Sequence, residues 1–177
     1  MSDTVKYIVR FILFSLVQGL VLSFMPPVHR FVTPYVYLLF LIWMPFVTPR
    51  VSMLVWSFLL GLVLDFFTKT PGLHASACLW VGWLRGGLIS LLVPRETREL
   101  SSGSPGVRTM GLAGYALFMF ILTLVHHFWV IVIEWLSFGT ILFFFGKLFL
   151  TTLASLILYL VTEMLFRPKA NRRRKFD

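Results

Sequence analysis

Residues 50–94 read RVSMLVWSFLLGLVLDFFTKTPGLHASACLWVGWLRGGLISLLVP, two long apolar runs separated by a short polar turn. About twenty mostly apolar residues in a helix cross the hydrocarbon of a bilayer, because each residue adds about 1.5 Å. The turn at 68–72, TKTPG, stops the first helix, since Pro lacks a backbone N–H and Gly favours turn conformations. The stretch therefore predicts a hairpin of two membrane-spanning helices at 51–67 and 73–93.

Apolar runs of similar length flank the hairpin on both sides and predict four further spans. The first run stops at Pro26-Pro27, and the second stops at Thr48-Pro49-Arg50. The only clearly aqueous segment, PRETRELSSGSPGVR at 94–108, is rich in Ser and Gly and predicts an exposed loop. We predict one all-α domain over 1–166 and a basic tail over 167–177. The six spans lie at 5–25, 31–47, 51–67, 73–93, 109–132 and 140–166.

The composition also indicates a polytopic membrane protein without catalytic machinery. Hydrophobic residues make up 58% of the chain and charged residues 13%, with a mean hydropathy of +0.88. Soluble domains carry about 25% charged residues, so most side chains here are expected to avoid water. No GxSxG, HExxH, P-loop or CxxC motif occurs, and the one cysteine, Cys78, cannot form an internal disulfide. We therefore expect neither an enzyme nor a bound cofactor or metal.

The basic residues predict the orientation of the chain. Sixteen Lys and Arg against seven Asp and Glu give a net charge of +9, and six of the sixteen lie at 167–175. This tail favours contact with anionic lipid headgroups over nucleic acid, because no basic amphipathic helix or aromatic platform accompanies it. With both termini in the cytoplasm, the opposite side holds only Arg30 and Lys69. The cytoplasmic segments then hold the tail together with Lys6, Arg10, Arg50, Arg95, Arg98 and Arg108.

Carboxylate and imidazole groups lie inside the predicted spans, where ionisable side chains are functional candidates. Asp65 closes the third span and could pair with Lys69, four residues on, or accept hydrogen bonds from the turn. His74 opens the next span, so the three side chains are expected to form one outer-face patch. A metal site needs more ligands, and we interpret the patch as structural. His126 and His127 also lack further ligands at metal spacing, and we interpret them as lumen-facing or interfacial.

Arg85 lies inside the fourth span, among Gly82, Gly86 and Gly87. It is expected either to extend toward the inner surface or to be buried against helix-end carbonyls or a carboxylate. Gly82 and Gly86 form a small-xxx-small pair, a spacing that lets helices approach closely. Further pairs of this kind are Ser15 with Gly19, Ser57 with Gly61, and Thr151 with Ser155.

Several short landmarks occur in a specific order. They are Thr33-Pro34-Tyr35, Trp43-Met44-Pro45, Thr48-Pro49-Arg50, Gly61-Leu62-Val63-Leu64-Asp65, Pro71-Gly72-Leu73-His74-Ala75, Arg85 and Pro94-Arg95-Glu96. With the size and the six-span plan, the chain resembles the bacterial rod shape-determining MreD family over about residues 5–165. The loop after Glu96 and the charged tail match no motif of that family.

The resemblance implies a non-catalytic scaffold of cell-wall elongation in the bacterial inner membrane. Proteins of the family bind MreC, which has a single span and a periplasmic coiled coil. The wider complex couples cytoplasmic MreB filaments to a SEDS-type glycan polymerase and a penicillin-binding transpeptidase. The implied fold is that of the substrate-binding (S) subunit of energy-coupling-factor transporters. Asp65, His74 and the Pro71-Gly72 turn would shape the outer face, and Arg85 with Pro94-Arg95-Glu96 the inner face.

The scaffold hypothesis also predicts where a partner's helix lies. In hydrocarbon such association depends on close packing, so small residues are expected to line the exposed grooves. The candidates are Ser15, Gly19, Gly82 and Gly86. Whether the chain also pairs with itself is left open.

The alternative hypothesis is a substrate-binding subunit of an energy-coupling-factor type transporter of small molecules. Such a subunit needs polar groups around an outer pocket, and Asp65, His74 and His126 would have to supply them. It also docks its membrane partner through an Ala-xxx-Ala pair on the first helix, for which Ser15 and Gly19 are an imperfect substitute. An intramembrane lipid-modifying enzyme is disfavoured, because the spans offer no nucleophile with a base.

Overall fold

The computed structural model describes residues 3–22, 32–100, 103–138 and 140–166 of the 177-residue chain. Over these ranges the regular secondary structure is helical, without strands. Its elements are α1 (Asp3–Leu16), a π-helical continuation (Val17–Leu22), α2 (Leu38–Ile42), α3 (Arg50–Thr68), α4 (Leu73–Leu92), α5 (Arg95–Leu100), α6 (Val107–Phe138) and α7 (Ile141–Phe166). Helix α6 is interrupted at Gly111, where φ is 70°. The basic tail predicted at 167–177 lies outside the described residues.

Among the described residues, four helices are long and apolar enough to cross a membrane: α3, α4, α6 and α7. Each corresponds to one of the last four predicted spans. Their outer faces carry large exposed apolar side chains, among them Phe66, Leu91 and Leu142. Apolar surface of this extent is stable in lipid rather than in water. The prediction of a helical membrane protein is therefore confirmed.

Helix α1 and its π-helical continuation occupy the region of the first predicted span, 5–25. Together they cover 3–22, and the rest of that span lies outside the described residues. A π-helical turn contains an extra residue and is often found where a side chain has a specific role. This one contains Gln18, which is buried against the segment that follows.

The second predicted span is not a continuous helix, and the prediction of a helix over 31–47 is wrong. Within 32–49, which we call the central segment, only Leu38–Ile42 is α-helical. Pro34, Pro45 and Pro49 flank this short helix, and each lacks the N–H that a longer helix would need. Every residue from 35 to 44 is buried. The apolar run therefore reflects an interior position rather than contact with lipid.

The central segment forms the core around which the long helices pack. The side chains of residues 35–44 belong to one cluster with buried residues of α3, α4 and α6. Tyr35 lies beside His74, near the start of α4, whereas Met44 lies beside Arg85, in the second half of α4. The segment thus runs along α4 through the interior of the bundle.

Small residues allow α3 and α4 to pack closely. A Cβ atom at Gly61 would overlap the backbone of Ala75, and a Cβ atom at Gly82 would overlap the hydroxyl of Ser57. That hydroxyl donates to the Met53 carbonyl of its own helix (2.7 Å). The spacing of these residues indicated a close helix contact, and the contact lies inside the molecule.

The segment 94–108 was expected to be an exposed loop, but part of it is helical and part returns to the bundle. Helix α5 covers Arg95–Leu100. The N–H of Phe46 in the central segment donates to the Gly103 carbonyl (3.2 Å), and Pro105 and Gly106 are buried. The prediction of a wholly exposed loop is wrong, because a Ser- and Gly-rich composition does not reveal backbone contacts with a distant segment.

Candidate functional site

One buried carboxylate organises the turn between α3 and α4. Asp65 Oδ2 accepts hydrogen bonds from the N–H groups of Gly72 (2.9 Å) and Ala75 (3.0 Å), and Oδ1 accepts from the His74 N–H (2.8 Å). The first N–H groups of a helix have no partner within it, so the carboxylate satisfies them and complements the positive end of α4. The sequence allowed two arrangements, an ion pair with Lys69 or hydrogen bonds from the turn. The structure shows the hydrogen bonds from the turn.

The backbone of this turn passes twice through the left-handed region. Lys69 ends α3 with φ 56°, and Gly72 precedes α4 with φ 85°. Glycine adopts this conformation without the clash that a Cβ causes, so residue 72 suits the turn. Asp65 and His74 are buried, whereas Lys69 is exposed. The predicted outer-face patch therefore consists of a buried Asp65–His74 contact with Lys69 at its exposed edge.

His74 connects this turn to a group of aromatic side chains in the interior. Its Nδ1 lies 3.0 Å from Asp65 Oδ1, a contact that fixes the orientation of the ring. Its Nε2 is buried and has no hydrogen-bond partner among the described residues. The ring centroid lies 5.9 Å from that of Tyr35 and 6.5 Å from that of His126.

His126 and His127 are fully buried, so the prediction that they are lumen-facing or interfacial is wrong. The Tyr37 hydroxyl lies 2.5 Å from His126 Nε2, and the Thr152 hydroxyl lies 3.1 Å from His127 Nδ1. The Tyr35 ring lies against both imidazoles, with centroid separations of 5.6 Å and 5.2 Å. A neutral imidazole has one donor and one acceptor, so it can bond hydroxyl groups without a charge. We call Tyr35, Tyr37, His74, His126 and His127 the polar cluster.

Buried side chains from other elements satisfy the non-helical backbone of the central segment. Gln18 accepts a hydrogen bond from the Val36 N–H (2.7 Å) and donates one to the Pro34 carbonyl (3.3 Å). The Ser155 hydroxyl accepts one from the Tyr35 N–H (3.0 Å). An unsatisfied backbone group in hydrocarbon is costly, so irregular backbone at membrane depth requires partners inside the protein.

Arg85 provides hydrogen bonds to backbone carbonyls at the other end of the central segment. Its Nη2 donates to the backbone carbonyl of Met44 and, at 3.4 Å, to that of Pro45. The side chain is 2% exposed. Of the positions that the sequence allowed for Arg85, burial against helix-end carbonyls is the one observed, since these carbonyls follow the end of α2. Arg85 thus has a structural role at one end of the segment, as Gln18 and Ser155 have at the other.

The small residues proposed to line a partner groove lie mainly inside the bundle. Ser15 and Gly19 are buried, and a Cβ at Gly19 would overlap the ring of Phe67. Gly82 is buried between α3 and α4. Gly86 is exposed, with open space where its Cβ would be. A partner-facing role therefore remains a prediction for Gly86 alone.

A cavity of about 650 Å³ lies where α3 begins and α4 ends. Four of its lining residues are arginines, Arg50, Arg85, Arg95 and Arg98, and we call it the arginine cavity. Its lining residues, all of them within the described ranges, include no acidic side chain. Glu96, which was predicted to shape this face together with Arg95, is exposed and outside the cavity lining. The structure thus brings Arg85 and Arg95 to one cavity without Glu96.

Sequence reasoning missed the residues that hold the central segment. Gln18 did carry a signal, because an amide inside an apolar span is costly unless it is hydrogen-bonded. Its partners are not predictable from the sequence, because the apolar run at 31–47 predicts a regular helix, and such a helix satisfies its own backbone groups. Tyr37 and Ser155 carried no comparable signal: their partners lie 89 and 120 residues away in the chain.

The chain matches no protein-family model, no curated protein and no solved structure. Among the described residues, no group of three or more His, Cys, Asp and Glu side chains could hold a metal ion. By their position in the structure, the candidate residues fall into two sets. The polar cluster and its neighbours pack in the interior. The arginine cavity lies at the end of the bundle where α3 begins and α4 ends.

Proposed function

We propose that this chain is a non-catalytic membrane scaffold of the MreD type. In this role it lies in the bacterial inner membrane, binds MreC, and helps couple MreB filaments to the SEDS-type glycan polymerase and the penicillin-binding transpeptidase. The observation that supports the proposal best is the position of three residues on which the resemblance to the MreD family is based. Asp65 and His74 form the joint between α3 and α4, and Arg85 holds Met44 and Pro45. Polar groups at membrane depth thus maintain the fold, as a scaffold requires.

The proposed topology has six crossings, with both termini in the cytoplasm. Five crossings are helical, and the sixth is the central segment, which leads from beside His74 to beside Arg85. Basic residues are concentrated at the end where α3 begins and α4 ends, which supports a cytoplasmic location for that end. They include Arg50, Arg95 and Arg98, whereas the α3–α4 turn at the other end has Lys69.

We propose that the single helix of MreC packs along α7. An apolar groove of about 280 Å³ lies between α6 and α7 and is lined by Phe120, Leu124, Phe145, Leu148, Phe149, Thr152, Leu153 and Leu156. Its apolar lining suits a membrane-spanning helix, which would bind by van der Waals packing. Leu153 lies in the groove, whereas Leu142 is highly exposed on the same helix outside it.

The transporter alternative receives less support from the geometry. The polar residues that would bind a substrate are Asp65, His74 and His126, and all three are buried. Asp65 is occupied by the turn and His126 by Tyr37. A substrate pocket at this position would require these contacts to open.

The test is a mild-detergent pull-down of the tagged protein from its native membrane, with the co-purifying chains identified by mass. We expect a single-span partner with a periplasmic coiled coil, together with wall-synthesis enzymes. Leu153→Trp should reduce recovery of that partner, while the matched Leu142→Trp should not. Recovery of two ATPases and a coupling subunit instead would replace the scaffold proposal with the transporter alternative. Equal recovery with both variants would show that the partner binds elsewhere.

A further inference from the structure

The arginine cavity concentrates positive charge at one end of the bundle. Of its four arginines, Arg85 donates hydrogen bonds to the Met44 and Pro45 carbonyls of the central segment. Arg50 and Arg95 are exposed and Arg98 is half-buried, and all three line the same cavity. Arg50, Arg85 and Arg98 place positive charge around one space whose described lining includes no acidic side chain, and such a site attracts an anion.

Two buried N–H groups of the cavity arginines have no partner in the described part of the chain. They are Nε of Arg85 and Nε of Arg98. A buried donor without a partner is destabilising, and the guanidinium groups that contain these two donors line the cavity. Guanidinium groups bind phosphate oxygens particularly well, because their planar N–H groups match two oxygens at once.

Glycine keeps this cavity open. Gly86 and Gly87 line it, and at both positions the space that a Cβ would occupy is free. The volume of about 650 Å³ lies in the usual range for small-molecule sites, roughly 300–1,000 Å³. A side chain at either position would reduce this space.

We propose that the arginine cavity binds the phosphate headgroup of an anionic phospholipid. This inference concerns a ligand rather than a protein partner, so it stands independently of the proposed scaffold function. A lipid is favoured over free phosphate because the arginines share the cavity with exposed apolar side chains, Val47 and Trp83. The cavity also lies at the ends of two membrane-spanning helices, where headgroups are located. Acyl chains would contact the apolar wall while the phosphate contacts Arg50, Arg85 and Arg98.

The test measures lipid retention by native mass spectrometry of the full chain purified in detergent. The probes are phosphatidylglycerol and, for comparison, zwitterionic phosphatidylcholine. We expect preferential retention of phosphatidylglycerol, and a loss of affinity on the order of tenfold in the double variant Arg50→Gln/Arg98→Gln, since charged hydrogen bonds are lost. Gly87→Leu should reduce retention by filling the cavity without changing any charge.

Arg108→Gln is the matched control, because Arg108 is exposed at the start of α6 and outside the cavity lining. Elution from size exclusion and the thermal midpoint show whether each variant is folded. Three results would overturn the proposal: equal retention of the two lipids, an equal loss in Arg108→Gln, or unaffected retention in Gly87→Leu. Displacement of phosphatidylglycerol by millimolar inorganic phosphate would instead identify a free-phosphate site. If the pull-down fails while lipid selectivity persists, the scaffold function alone is excluded.

Discussion

Arg85 and Met44 are 41 residues apart in the chain, and a hydrogen bond joins the guanidinium of the first to the backbone carbonyl of the second. The bond connects the second half of α4 to a backbone carbonyl just beyond the end of the five-residue helix α2, where the chain is no longer helical. An arginine at membrane depth therefore has a structural explanation in this chain. The same bond places the side chain at the wall of the arginine cavity.

Arg85→Leu should destabilise the protein more than Arg98→Leu. The first change leaves the Met44 and Pro45 carbonyls without their donor, at a cost of about 1–3 kcal/mol, whereas Arg98 lies in the short helix α5. The measurement is the thermal midpoint and the yield of folded protein in detergent. Equal midpoints and equal yields of folded protein for both variants would show that the Arg85 bonds contribute no more to the fold than Arg98 does.

Ser155→Ala should lower the thermal midpoint, because it leaves the buried Tyr35 N–H without an acceptor. We expect a cost of about 1–3 kcal/mol, the range for an unsatisfied buried donor. Ser90→Ala is the matched control: that hydroxyl is exposed and bonds only to the Gly87 carbonyl of its own helix. If both serine variants melt together with the wild type, another group or water must satisfy the Tyr35 N–H.

Much of the fold was predictable because proline, glycine and charge interrupt long apolar runs. The bounds predicted for α3 and α4 differ from the observed bounds by one residue at most. The central segment was not predictable in the same way, since an apolar run is equally consistent with contact to lipid and with burial in protein. Two prolines, Pro34 and Pro45, were the available sign that the run at 31–47 is interrupted.

The candidate site was predictable only where its contacts are local in sequence. Asp65 and His74 are nine residues apart, and their shared turn was identified from Pro71-Gly72. The contact of His126 with Tyr37 joins residues 89 apart, and no pattern in either stretch indicates the other. Tertiary packing therefore determines the environment of His126, which the sequence predicts to be lumen-facing or interfacial.

Gly61→Ala should destabilise the α3–α4 hairpin, because the added Cβ would overlap the backbone of Ala75 and force the helices apart. Overpacking of this kind costs about 1–3 kcal/mol. Gly86→Ala, the same substitution in the same hairpin, places its Cβ in open space and should be neutral or stabilising by up to about 1 kcal/mol. The comparison uses thermal midpoints in one detergent. A midpoint for Gly61→Ala at or above that of Gly86→Ala would contradict the close approach of α3 and α4.

Asp65→Asn should destabilise the protein although it preserves the size of the side chain. Both carboxylate oxygens accept from backbone N–H groups, Oδ2 from Gly72 and Ala75 and Oδ1 from His74. An amide offers one oxygen and one NH2 group, so at least one backbone N–H would face a donor and lose its partner, at a cost of about 1–3 kcal/mol.

Lys69→Gln distinguishes this explanation from an Asp65–Lys69 ion pair. Lys69 is exposed at the end of α3, so removing its charge should leave the thermal midpoint nearly unchanged. Protease sensitivity of the α3–α4 turn provides a second readout, which should rise in Asp65→Asn alone. If the two variants lose stability equally, the carboxylate acts through Lys69, and the hydrogen bonds to the start of α4 are of minor importance.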